Sequence, residues 1–119
     1  MKDRGSAAGL PRATELGLVA PLCGHVGDGN FHLCVLVDPA DGGEQARTAQ
    51  LNTRMVARAH AVGGTCTGEH GIGTRKIDYL ADERGAGMAT LAAIKRALDP
   101  RNIMNPGKIL RADVYPPYQ

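Results

Sequence analysis

The chain has 119 residues and a formal charge of +2, with no Trp, one Phe and three Tyr beside 16 Gly. That length fits one small domain with an aliphatic core, and a core so poor in aromatics and rich in glycine entropy can need a partner surface for stability. Lys and Arg are scattered, with no basic block or aromatic ladder, which argues against nucleic-acid binding. No apolar run approaches the roughly 20 residues needed to cross a bilayer, and residues 1–9 lack the apolar stretch of a signal peptide. These features predict a soluble, cytoplasmic chain.

Residues 1–20 read as an irregular lead-in without a clear period. The apolar run Leu16–Cys23 contains Pro21, which confines it to a sheet edge or a strand start. From Phe31 to Val37 the residues are apolar on both alternating faces except at His32, the pattern of a strand covered on each side. Asp41, with Glu44 three residues on, resembles a helix N-cap. The helix it predicts, Glu44–Val62, places Leu51, Met55, Ala59 and Val62 on a core-facing stripe and is stopped by Gly63 and Gly64. His60 lies off that stripe and is expected at the surface.

Thr65–Thr67 is β-branched enough for a short strand, and Thr74 is placed to cap a short helix carrying Ile77 and Leu80. A further helix, Ala86–Leu98, aligns Met88, Leu91, Ile94 and Leu98 and is closed by Asp99 and Pro100. The segment after it, with Pro116 and Pro117, is expected to be extended or mobile. Cys23, Cys34 and Cys66 are odd in number and lack CxxC spacing, so buried reduced thiols are expected rather than a disulfide framework.

Two glycine-rich segments hold the reactive residues. In the first, His25 and His32 flank Gly27, Asp28, Gly29 and Asn30, residues that form a tight turn readily. A reversal there is either a plain hairpin with polar residues at its base or a device that converges two imidazoles on a metal. Asp28 can orient a histidine or close the turn. In the second segment, Glu69 and His70 are consecutive, so their side chains diverge: Glu69 can complete a two-histidine, one-carboxylate site while His70 serves as a general base. Gly68, Gly71 and Gly73 let the backbone approach something flat or bulky; an anion nest is the alternative. A phosphate cradle lacks the GxxxxGK[ST] or GxGxxG arrangement.

Taken together, Gly24–His32, Thr67–Gly73 with Lys76, Asp99–Pro100 and Asn105–Lys108 resemble the C-terminal region of the FAD-linked oxidases, over about residues 21–110. The nearest branches are the cytochrome-type D-lactate dehydrogenases, the glycolate oxidase subunits and the D-2-hydroxyglutarate dehydrogenases. The resemblance implies an α+β fold, part of a substrate domain with a small antiparallel sheet, covering helices and an extended C-terminal tail. It divides the chain after the lead-in into residues 21–104 of that domain and 105–119 returning to a flavin domain.

The implied activity is oxidation of a lactate-like D-2-hydroxy acid to the 2-oxo acid with hydride transfer to FAD. By the same resemblance, His25, His32 and Glu69 bind a divalent metal, expected to be zinc. His70 takes the hydroxyl proton, and Asn105, Glu69 and Gly71 contribute to cofactor binding. Ligation needs neutral imidazoles, so metal affinity should fall on acidification. The implied partners are an upstream flavin domain or a complementary chain and an acceptor such as a cytochrome, quinone or flavoprotein, with the inner face of a respiratory membrane as a possible location. The family's flavin domain lies outside these residues, so the chain alone is expected to hold half an active site and turn over nothing. The alternative is a non-catalytic fragment that at most binds a metal or a partner.

Overall fold

The structure, a computed structural model, describes residues 10–115. It is α+β, as the sequence implies: four α-helices and a two-stranded antiparallel sheet. The chain divides into two compact units, residues 1–69 and 70–119.

The first unit opens with α1 (Leu10–Glu15), a short helix where an irregular lead-in was expected. Ala13, only 2% exposed, anchors it, and its carbonyl accepts from the Leu16 and Leu18 amides, so packing overrides the weak local pattern. Residues 1–9 of that lead-in lie outside the described residues. Strand β1 (Leu22–His25) starts directly after Pro21, as proline requires, and pairs with β2 (Asn30–Leu33). β2 is shorter than the Phe31–Val37 strand the sequence predicts. Its register nevertheless continues: Cys34 donates to the Pro21 carbonyl at 2.9 Å and Leu36 to Val19 at 2.9 Å.

Side chains alternate across this ladder. One face sends Leu18, Ala20, Leu33 and Val35 to a core with Ala13, Leu16 and Leu51. The other leaves Val19, Cys34 and Leu36 exposed, so the strand is covered on one side rather than both.

Helix α2 (Gly42–Ala61) begins at the expected cap: the Asp41 carboxylate accepts from the Gly43 and Glu44 amides. Glu44 itself accepts from the Asp38 amide at 2.7 Å, tying the preceding loop to the helix start. The buried stripe is Leu51 and Val56, with Met55 and Ala59 half-buried. Val62 falls outside the stripe and is 60% exposed, because the helix has ended and the Gly64 amide turns back to Ala59. His60 is half-buried. Thr65–Thr67 forms no strand; the Thr67 amide donates to the Thr65 hydroxyl, a local bond that competes with pairing.

The second unit packs α3 (Ile77–Arg84) and α4 (Gly87–Leu98). Lys76, not Thr74, occupies the N-cap of α3, and its side chain makes no capping hydrogen bond. The core is Ala92, Leu110 and Tyr115, with Met88 and Leu91 against it. Ile94 and Leu98, expected on the buried stripe, are 52% and 77% exposed. The reason is the C-terminal segment. Through Tyr115 it docks on the Ala92 side of α4, whereas Pro116–Gln119 lie outside the described residues.

Asp99 secures that docking. Only 4% exposed, its carboxylate accepts from Lys95 Nζ and from the Ile103 and Met104 amides, while its carbonyl accepts from the Tyr115 hydroxyl. Asn102 Nδ2 donates to the Tyr115 carbonyl at 3.0 Å. The Lys95 hydrogen bond, and behind it the two backbone amides, hold the Asp99 carboxyl below its ordinary 3.8 against the opposing effect of burial. A lowered folded-state value stabilises above the unfolded value and is lost as pH falls through the folded one.

Two outcomes follow for stability. Acid titration of folding should show a loss below the ordinary carboxylate range that Asp99→Asn abolishes, read by circular dichroism against pH. Leu51→Ala should cost about 2–5 kcal/mol, the usual penalty for a fully buried leucine, measured by urea denaturation.

Candidate functional site

The outward face of the hairpin carries the reactive residues of the first unit. The pairs Cys23↔His32 and His25↔Asn30 belong to one face, and Leu22↔Leu33 and Gly24↔Phe31 to the other. The chain reverses through a 3₁₀ turn, Val26–Asp28, closed by Gly29 at φ 72°, whose amide donates to Val26 at 3.0 Å. Asp28 sits exposed in this turn. His25 and His32 are therefore diagonal neighbours on the same face, two imidazoles at the turn end of a ladder.

Glu69 comes to that face from the far end of the unit. Its Oε1 lies 3.2 Å from His32 Nε2 and its Oε2 3.5 Å from His25 Nε2. Asn30 Nδ2 donates to the same Oε2 at 3.2 Å. One carboxylate thus spans both imidazoles while an amide fixes its rotation. The side chains of His25, His32 and Glu69 are 63%, 28% and 44% exposed, leaving the cluster open to small molecules. Exposed ion pairs contribute only about 0–1 kcal/mol, so stability alone is a weak reason for assembling these groups.

Glycine makes the approach feasible at two points. Gly24 has φ 138°, and a Cβ there would stand 2.7 Å from the Phe31 Cα across the ladder. Gly68 has φ 52°, and a Cβ there would meet Asn30 Oδ1 at 2.6 Å. At Gly24 fixed backbone bars any side chain, whereas at Gly68 a side chain would displace the Asn30 amide and strain a left-handed backbone.

The structure therefore brings His25, His32 and Glu69 together and adds Asn30, which the sequence reading treated only as a turn former. The missed signal was period two: Asn30 and His32 are two apart on one strand. His70 ends the 3₁₀ turn Gly68–His70 and is the first residue of the second unit. Gly71, at φ 74° with open space around its Cβ position, and Asn105, at φ 48°, also belong to that unit. Asn105 opens a turn closed by the Lys108 amide at 3.2 Å.

The cysteines are not buried. Cys23 and Cys34 are exposed and Cys66 half-buried, and none of the three is in a disulfide. Cys23 and Cys34 fall on the uncovered face because their ladder positions share the parity of His32. The hydrogen bond to Cys34 pushes the Cys23 thiol up, with desolvation and the neighbouring Cys34 charge adding to it.

The sequence profile described as FAD linked oxidases, C-terminal domain, matches residues 8–109. The chain belongs to this family. Among its relatives, "Probable D-lactate dehydrogenase, mitochondrial" of Danio rerio is 48% identical over 94 residues, covering 78% of this chain and 19% of that protein. "D-lactate dehydrogenase [cytochrome], mitochondrial" of Arabidopsis thaliana is 46% identical over 94 residues, 78% of this chain and 17% of that protein. "Glycolate oxidase subunit GlcD" of Bacillus subtilis is 42% identical over 91 residues, 76% of this chain and 19% of that protein. This FAD-linked oxidase segment thus spans less than a fifth of each of these relatives. No helix among the described residues is long and apolar enough to cross a membrane.

The geometry makes Gly24→Ala a sharp test of the hairpin. The substitution should cost about 1–3 kcal/mol or more, since backbone rather than a movable side chain stands in the way. Loss of the Gly24–Phe31 cross-strand contact in an NMR spectrum, with a lowered melting temperature, is the expected result.

Proposed function

We propose that this chain supplies the metal-binding part of an FAD-dependent dehydrogenase that oxidises a D-2-hydroxy acid to the 2-oxo acid. The observation that carries the reading is the Glu69 carboxylate held between His25 Nε2 and His32 Nε2 at 3.5 and 3.2 Å. Each imidazole nitrogen faces its own oxygen of the one carboxylate, so a single Glu69 side chain gathers both histidines at one place. The donor set, two imidazole nitrogens and a carboxylate, suits zinc and leaves positions for substrate. The printed names of the relatives, D-lactate dehydrogenases and glycolate oxidase subunits, support the substrate class.

In this reading His25, His32 and Glu69 hold the ion, and Asn30 keeps the Glu69 carboxylate turned toward both imidazoles. The ion would supply Lewis acidity, polarising the 2-hydroxyl and neutralising the substrate carboxylate. His70 accepts the hydroxyl proton, a role suited to an imidazole with a ring nitrogen able to accept a hydrogen bond. Gly71 and Asn105 are the proposed flavin contacts, Gly71 because its open backbone admits a flat ring and Asn105 because its amide offers both donor and acceptor. The remaining parts are proposed to lie in a flavin-binding domain, with a cytochrome, quinone or flavoprotein taking the electrons.

Elemental analysis after zinc loading and desalting tests the centre. His25→Ala and Glu69→Ala should each carry about one zinc fewer per chain than wild type; equal content in all three removes the site.

A further inference from the structure

The outward face of the hairpin holds a second pair of ligand-type side chains, one step along the ladder from the imidazoles. Cys23 stands opposite His32, and the Cys34 amide bonds to the Pro21 carbonyl in the same register. The two thiols are therefore diagonal neighbours with the same parity. Their Sγ atoms are 3.7 Å apart, and both residues are exposed and free.

Two thiols this close can close a disulfide or share an ion, and the strand positions distinguish the two. Diagonal positions in an antiparallel ladder lie about 7–8 Å apart at Cα. A disulfide usually spans about 4.4–6.8 Å and needs its sulfurs at about 2.05 Å, so closure demands that the backbone move. An ion with two sulfur ligands at about 2.3 Å in tetrahedral geometry separates them by about 3.7–3.8 Å. The observed separation already matches that edge.

We propose that Cys23 and Cys34 form a two-sulfur site for a thiophilic cation, of the Zn²⁺ or Cu⁺ class, distinct from the His25, His32 and Glu69 set. Soft thiolates select such ions over hard ones. On binding, two S–H bonds break, two metal–sulfur bonds form and two protons pass to solvent, with no change of oxidation state. Water or a small external thiol fills the other positions, since this face is open. The site stands on the thiol pair alone and does not depend on the hydroxy-acid reading.

Cadmium ion titrated into the whole, reduced chain tests it through the sulfur-to-cadmium charge-transfer absorption. One ion per chain should develop the band; Cys23→Ser and Cys34→Ser should each lose it, while Cys66→Ser and Glu69→Gln keep it. Absence of the band in wild type, or its survival in either of the first two variants, overturns the proposal. Wild-type chain alone gives a second reading: cadmium should protect Cys23 and Cys34 together from iodoacetamide, followed by peptide mass spectrometry. Both thiols staying reactive with cadmium present overturns it as well.

Discussion

The constraint on which the first unit rests is the unbroken register of one hairpin. Every cross-strand pair from Val19↔Leu36 to His25↔Asn30 keeps the same offset, so the alternation of side chains is never interrupted. A slip of β2 by one residue would send His32 into the core and Leu33 and Val35 out to water. Burying Leu33 and Val35 against Leu51 therefore also fixes where His25 and His32 point. Packing and chemistry are two faces of the same ladder.

Seen this way, the glycines at the site serve the register. Gly24 lets the strands close on each other where any side chain would strike the Phe31 backbone, and Gly68 leaves room for Asn30 beneath the last turn before Glu69. Asn30 in turn holds the carboxylate that spans both imidazoles. The polar cluster is thus fixed by close backbone approach and one amide rather than by deep burial, which fits its openness to solvent.

Much of this was legible in the sequence because the signals were local. The turn between His25 and His32, the Asp41 cap and the breaks at Gly63 and Asp99 each depend on a few adjacent residues whose backbone preferences are strong. The motifs around His25 and Glu69 carried the family assignment. What could not be read was long-range. Val62, Ile94 and Leu98 fit a helical stripe, yet a stripe does not say which part of it finds a partner; Leu110 and Tyr115 determined that for α4. Cys23 and Cys34 misled for a related reason: apolar character predicted burial, whereas strand parity placed them outward with His32.

The anchoring of the C-terminal segment also bears on how the molecule can be handled. Leu110 and Tyr115 are structural members of the second core, and the Tyr115 hydroxyl is tied to the same Asp99 that gathers Lys95 and two loop amides. A protease nick between those two residues would strip the lid from Ala92 and free the aromatic ring that Arg96 now flanks at 5.5 Å. Fusion partners and affinity handles therefore belong beyond Tyr115, never in place of it.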